Sequence, residues 1–154
     1  MRHARREAQA TRQEAAINAR WDQPDDASDC RMHLDSLRNE IKNLARADRA
    51  VSFAQDWTVN GAGSEGRKAA RNFSKLVLKA YNAEADYAVR TMKPHHLALH
   101  VDRLCRSRET IAKLGSRMRI RISDAYHDAR VRELYLMAAL LEQEQEQEQE
   151  QSQY

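Results

Sequence analysis

Two carboxylates lie where a helical chain normally places apolar side chains. On a helical wheel, Glu84 falls in the same apolar and aromatic arc as Tyr81, and Glu133 falls between Tyr126 and Leu140. Two acidic side chains within reach of one another can hold a divalent metal or exchange protons with a substrate. Buried charges are more commonly paired with opposite charges. We therefore expect a structural network, with a metal-assisted carboxylate pair as the alternative.

Arginines are the expected partners of the two glutamates. Arg108 lies in the apolar row of its own predicted helix, so it joins Arg67 and Arg103 as a candidate partner for Glu84 or Glu133. We predict a buried polar network that comprises Asn82, Glu84, Asp86, Arg103 and Glu133.

Three histidines and a cysteine form the next candidate site, a zinc centre. His96 and His100 are four residues apart, with His95 and Cys105 nearby. A zinc ion needs about four ligands in reach, and the other cysteine, Cys30, is distant in sequence. We therefore expect structural or surface histidines, and neither a metal nor another cofactor.

The glycine-rich stretch "GAGSEG" has the outline of a nucleotide-binding loop, with Gly61, Gly63 and Gly66 in G-x-G-x-x-G spacing. Such a loop requires a preceding buried strand within a βαβ unit, and the sequence predicts no parallel sheet. The stretch is more typical of a turn at Asn60 and Gly61 that leads into a helix.

Basic residues are concentrated between Arg103 and Arg132, where nine lysines and arginines accompany three acidic residues. Such a cluster can contact phosphates, or it can be a solvated face or a site for an acidic partner. The sequence predicts no aromatic stacking platform that would read bases. The candidate phosphate contacts are Arg106, Lys113, Arg117, Arg119 and Arg121.

The elements that position these residues are predicted to be helices. The glycines and prolines total only six, and residues 50–59 are the one β-prone stretch, apart from a short extended piece at 120–122. Because a single strand cannot form a sheet, we predict an all-α fold, a small helical bundle with a long charged C-terminal helix and at most one short extended segment at 50–59. The predicted helices cover residues 2–20, Cys30–Arg49 with Ser28 or Asp29 as its cap, Ser64–Met92 capped by Ser64, Pro94–Leu114 ended by Gly115, and a last helix capped by Ser123 or Asp124.

Composition bounds the class of protein. The chain has 154 residues, of which 42% are hydrophobic and 32% charged, enough for one domain. Neither an apolar run of membrane-spanning length nor a signal peptide is visible, and two cysteines do not make a disulfide framework. We therefore expect a cytoplasmic protein.

Charge divides the chain unevenly. The net charge of +3 hides a segment from Glu142 onward with five glutamates and no basic residue. We predict a helical extension and linker at 1–27, a helical domain at 28–141 and a Glu/Gln-rich low-complexity tail at 142–154. The Ala-rich first helix and the acidic tail carry opposite charge, so they either pair between chains as a coiled coil, which would give a homo-oligomer, or fray.

Several separate motifs resemble one known family. They are "WTVNG" (Trp57–Gly61), "EGRK" (Glu65–Lys68) and "LKAYNAEAD" (Leu78–Asp86), followed in order by "RL" at 103, "KLG" at 113, "IS" at 122 with Tyr126, and "EL" at 133. This series is similar to a helical domain of phage, prophage and anti-phage defence proteins, where it commonly lies upstream of a GIY-YIG nuclease domain. The resemblance covers residues 31–142.

The resemblance implies a non-enzymatic recognition or regulatory module without the nuclease, since the sequence contains no GIY or YIG motif. Its partner would be a protein, either a phage component or a separately encoded nuclease. The alternative is an electrostatic DNA-binding accessory domain that positions such a nuclease. Arg108 departs from the family, which often has an apolar residue there. The family signature assigns binding to Trp57, Asn60, Gly61, Gly66, Arg67 and Lys68.

Overall fold

The computed structural model describes residue 21, residues 23–53 and residues 63–152. Within these residues the chain forms four α-helices and two strands of two residues each, so the all-α prediction is confirmed. The predicted helix over residues 2–20 lies outside the described part. The elements in chain order are α1 (Ala27–Arg46), β1 (Val51–Ser52), α2 (Gly63–Arg90), α3 (Leu97–Leu114), a 3-10 turn (Ser116–Met118), β2 (Arg121–Ile122) and α4 (Asp124–Ser152).

Helix α1 begins and ends earlier than the sequence predicts. Asp26, and not Ser28 or Asp29, is the N-cap, because its side chain accepts a hydrogen bond of 2.7 Å from the backbone N–H of Asp29. The helix stops at Arg46 because Asp48 adopts the left-handed conformation (φ 56°). The buried face carries Ala27, Cys30, Leu34, Leu37 and Ile41.

Helix α4 is the centre of the fold, and α1 packs along it. Between Tyr126 and Leu140 it buries side chains on nearly every face, as a helix enclosed by others must. The residues before α1 also pack here: Pro24 is buried, and the ring centroids of Trp21 and Tyr135 are 5.8 Å apart. The same helix continues past the core to Ser152, where its surface is exposed.

A two-stranded antiparallel ribbon closes one end of the bundle. Val51 pairs with Ile122, and Ser52 pairs with Arg121. The expectation that the 50–59 segment has no strand partner is wrong, because the extended piece at 120–122 supplies one. Ser123 continues the link, since its N–H donates to the carbonyl of Ala50 (2.8 Å). The hydroxyl of Ser123 also accepts from the N–H of Tyr126 (3.2 Å), which makes it a cap of α4 as predicted.

Helices α2 and α3 complete the bundle with shifted boundaries. Ser64 lies inside the first turn of α2 and does not precede it. Pro94 belongs to a turn, and α3 starts three residues later, at Leu97. Gly115 ends α3 as predicted, and a Cβ at this position would lie 2.7 Å from the carbonyl oxygen of Ile120. None of the helices formed by the described residues is both long and apolar enough to cross a membrane.

Candidate functional site

The polar cluster in the core is centred on Arg130 and Glu133 of α4. Both side chains are buried, and their closest charged atoms, Nη1 and Oε1, are 3.2 Å apart. Arg130 Nη2 also lies 2.5 Å from Asp86 Oδ1 on α2, and Glu133 Oε2 lies 3.5 Å from Nε of Arg38 on α1. Arg103 pairs with Glu84, as the sequence predicts, but none of the candidates Arg67, Arg103 and Arg108 pairs with Glu133. Its charge is balanced by Arg130 and Arg38, so this cluster joins three helices.

Electrostatics favour a structural role for this cluster. Burial raises the pKa of Glu133, and the attraction of Arg130 and Arg38 only partly offsets this. Burial alone would lower the pKa of Arg130, but Glu133 and Asp86 outweigh it and the pKa is raised. Arg130 is therefore firmly cationic, and removing its buried partner would leave an uncompensated charge.

Glu84 is placed differently from Glu133. Its side chain is half-buried and 34% exposed, and Oε1 lies 3.6 Å from Nε of Arg103 on α3. Arg103 also lies over the ring of Tyr87, 5.8 Å from its centroid. The expectation of burial is wrong for Glu84, Asp86 and Arg103, because each lies toward the outer rim of the bundle. Glu84 and Glu133 are held by different arginines.

A second polar layer surrounds the tyrosines of the core. The hydroxyl of Tyr126 donates a hydrogen bond to Oδ1 of Asn82 (2.6 Å), and this bond connects Asn82 to the polar network. The Tyr81 hydroxyl lies 2.8 Å from Nδ1 of His127, and the Cys105 sulfur lies 3.6 Å from Nε2 of the same ring. Burial raises the pKa of Tyr81 and of Cys105, so both stay protonated at neutral pH. These groups suit hydrogen bonding better than nucleophilic attack.

The three histidines of the candidate zinc centre do not face a common point. His95 and His96 are exposed and His100 is buried, with the rings of His96 and His100 centred 6.4 Å apart. Among the described residues, no group of three or more His, Cys, Asp and Glu side chains is arranged to hold a metal ion.

The predicted phosphate contacts separate into two kinds. Arg106 is paired with Asp102 of its own helix at 3.0 Å. Within the described part of the chain, the other four make no ion pair and are exposed around the 3-10 turn: Lys113, Arg117, Arg119 and Arg121. Arg108, which the wheel placed in the apolar row, is half-buried. It donates to the carbonyl of Ile122 (2.9 Å from Nη2) and pairs with Asp124.

The family signature is only partly visible. Trp57, Asn60 and Gly61 lie outside the described residues, and Gly66 is buried in the first turn of α2. Arg67 and Lys68 follow it and are exposed. Lys68 begins an exposed row on one face of α2, here termed the α2 basic row, formed by Lys68, Arg71, Lys75 and Lys79. The last three are not among the residues predicted from the sequence, although their spacing of four could have revealed the row.

A groove of about 530 Å³ lies beside the α2 basic row, between α2 and the segment that follows α1. Its apolar lining includes Val51, Phe53 and Leu78, and Arg71 and Lys75 form its basic edge. A shallower depression of about 490 Å³ continues along α2 past Lys75, Leu78 and Lys79.

A comparison with protein families matches residues 27–145 to the model described as the SNIPE-associated domain. More than half of the chain is covered. The chain belongs to the SNIPE-associated domain family. This family accompanies GIY-YIG nuclease domains. The domain is therefore classed as a nuclease-associated accessory module. Comparisons with curated proteins and with solved structures find no match.

The first and last residues of the family match coincide with the region over which α1 and α4 pack together. The match begins at Ala27, the first residue of α1, and ends one residue beyond Glu144, which pairs with Arg31 of α1 at 3.0 Å. Gln143 also contacts this end of the bundle, because its side-chain amide donates to the carbonyl of Pro24 (3.2 Å). Contacts of α4 with α1 thus continue beyond Leu141.

Proposed function

We propose that this SNIPE-associated domain is a non-enzymatic recognition or regulatory module that acts with a nuclease in the cytoplasm. Its partner is a protein, either a phage component or a separately encoded nuclease. The observation that carries the proposal is the family match, since this family accompanies GIY-YIG nucleases.

The surroundings of the candidate catalytic groups support this proposal. Glu133 is held between Arg130 and Arg38, and Glu84 is paired with Arg103 on another part of the bundle. A carboxylate pair that works on one metal must share it, whereas these two are each neutralised by separate arginines.

The start of α2 is the recognition surface that we favour. Arg67 and Lys68 belong to the family signature and are exposed, and the groove beside the same helix offers Phe53 and Leu78 as apolar contacts. Leu76, which is 62% exposed, adds apolar area on the outer side of α2. Apolar contacts bordered by charge are typical of surfaces that bind proteins.

The first test is for catalysis. We expect the purified full chain to leave plasmid DNA intact with magnesium or manganese. Metal-dependent cleavage that disappears in both Glu84→Gln and Glu133→Gln variants, with unchanged circular dichroism, would overturn the proposal in favour of an enzyme.

The second test is for the protein partner. A nuclease encoded by a neighbouring gene is titrated with the full chain, and binding is measured by calorimetry. We expect the double variant Arg67→Glu, Lys68→Glu to weaken binding at least about tenfold, a typical loss when charges oppose a matched surface. The control, Arg117→Glu with Arg119→Glu, carries the same charge change and should bind normally. Equal loss in both variants, or no binding by the unaltered chain, would contradict the proposed surface.

A further inference from the structure

Ion pairs and burial within the fold neutralise part of the positive charge that the sequence places between residues 103 and 132. Arg103, Arg106 and Arg108 are paired with Glu84, Asp102 and Asp124, and Arg130 is buried against Asp86 and Glu133. Arg132 is half-buried and lines a depression with Glu40. Five of the nine basic side chains are thus held within the fold or beside an acidic residue.

The charges of the α2 basic row are free to bind an external anion. Lys68, Arg71, Lys75 and Lys79 are all exposed, and none forms an ion pair with another described residue. Three of the described acidic residues lie near the row: Glu65 and Asp86 on α2, at its ends, and Asp48, which lines the groove together with Arg71 and Lys75. Glu65 is in the first turn, and Asp86, beyond Lys79, is engaged by Arg130. No ion pair among the described residues joins Asp48 to the row, so the row's four cations form an uninterrupted positive strip along α2.

The spacing of this strip suits a regular polyanion. Side chains four residues apart on a helix are separated by about 6 Å along its axis. Arg71, Lys75 and Lys79 follow this spacing, and Lys68 extends the row by nearly one turn, to a total of about 16 Å. Phosphates of one DNA strand lie about 3.4 Å apart along the duplex axis, so alternate phosphates recur about every 7 Å.

We propose that the α2 basic row is a sequence-independent binding track for the phosphate backbone of nucleic acid. This goes beyond the protein-recognition role and does not depend on it. Lysine and arginine contacts to phosphate position a protein on DNA without reading its sequence. A nucleic acid is favoured over an acidic protein because the regular spacing of the row matches the repeat of a phosphate backbone, and because each phosphate contact releases condensed counterions from the polyanion.

The experiment measures binding of the full chain to a fluorescein-labelled duplex of scrambled sequence, by anisotropy, over a range of salt concentrations. The test variant is Arg71→Gln, Lys75→Gln, Lys79→Gln. The control, Lys113→Gln, Arg117→Gln, Arg119→Gln, removes the same charge from the other exposed cluster. All six side chains are exposed, and thermal melts of both variants verify folding. A Lys75→Gln single variant covers the case in which the triple variant does not fold.

We expect log K of the unaltered chain to fall with log salt at a slope of about −3 to −4, as for three or four phosphate contacts. The test variant should lose at least about tenfold in affinity at low salt and most of this slope, while the control keeps both. The proposal is overturned if the control loses the slope and the test variant keeps it, because the track would then lie at the 3-10 turn. It is also overturned if the duplex does not bind at low salt, or if polyglutamate binds α2 and the duplex does not.

Discussion

Glu133 and Glu84 differ in how far each side chain is removed from water, and this sets what each contributes to stability. Glu133 is buried beside Arg130, whereas Glu84 and Arg103 both lie partly in solvent. We expect Glu133→Ala to lower the free energy of unfolding by about 3–5 kcal/mol, because Arg130 would remain buried with a charge that only exposed partners balance. Glu84→Ala should cost less than about 1 kcal/mol, as for an exposed pair. Urea denaturation of the two variants measures both values, and equal losses would contradict the assigned burial.

Arg108 and Asp124 provide a prediction about pH. The hydrogen bond and charge of Arg108 hold the pKa of Asp124 below its ordinary value. A carboxyl whose pKa is lowered by folding stabilises the protein above its unfolded pKa, and this contribution is lost as the pH falls through the folded pKa. In Arg108→Leu, the pKa of Asp124 should return toward its ordinary range, which an NMR titration of the side-chain carboxyl carbon would detect. An unchanged titration would show that Arg108 is not the cause.

The residues of the polar network are easier to predict than their partners. Glu133 is recognisable because a helical wheel places it among apolar side chains, and helical periodicity is a local property. Its partner Arg38 is on α1 and reaches it only because α1 packs along α4. Arg130 lies three residues before Glu133 on the same helix, so the sequence alone could have identified it as a partner of Glu133. The sequence instead groups it with the basic residues after Arg103, for which phosphate contacts, a solvated face and an acidic partner are all alternatives.

At the scale of elements, the junction between α3 and β2 depends on a close approach at Gly115. A Cβ there would lie 2.7 Å from the carbonyl oxygen and 2.9 Å from the Cβ of Ile120, which is fully buried. The backbone angle of Gly115 (φ −92°) suits any residue, so the conflict is one of space. We expect Gly115→Ala to destabilise the protein by about 1–3 kcal/mol, as overpacking does. Thermal unfolding tests this, with Ala112→Gly, at a half-buried position on α3, as a comparison for alanine and glycine in the helix. A neutral Gly115→Ala substitution would contradict the close approach.

The helices could be predicted from the sequence more reliably than the ribbon. Apolar residues recur at helical spacing over many turns in α1, α2 and α3, so their existence is well determined, and only the ends are displaced by caps such as Asp26. Strands of two residues have no periodicity to detect. The pairing of Val51 with Ile122 arises only when α3 brings distant segments together.

At the scale of the whole molecule, charge is segregated along α4. The helix is part of the core up to Leu140, whereas from residue 145 onward it is exposed and carries only acidic charge. We expect this end to associate with basic surface of a second chain, giving self-association that weakens with salt. Sedimentation of the full chain and of a chain ending at Gln145, which keeps the Arg31–Glu144 pair, would measure the effect. Monomers in both cases at high concentration would exclude an assembly role.

The overall charge of the protein was predictable, but the location of the available charge was not. Composition reveals a basic body and an acidic end, and the clustering of arginines after Arg103 is visible in the sequence. Which cations are neutralised depends on contacts between helices, such as that of Arg130 with Asp86 across α4 and α2. The fold thereby leaves the lysines of α2 as a larger share of the available positive surface.

The hydrogen bond between Ser123 and Arg49, beside the ribbon, bears on the order in which the chain folds. Ser123 donates from its hydroxyl to the carbonyl of Arg49 (2.6 Å), and the two residues are 74 positions apart in the chain. Contacts that close long loops are entropically costly until the intervening helices have docked. The link should therefore form late in folding and break early in unfolding. We expect Ser123→Ala to speed unfolding about fivefold, for a loss of about 1 kcal/mol, and to change the folding rate by less than about twofold. Stopped-flow kinetics in urea would measure both rates, and a slowed folding arm would place this link in the folding nucleus instead.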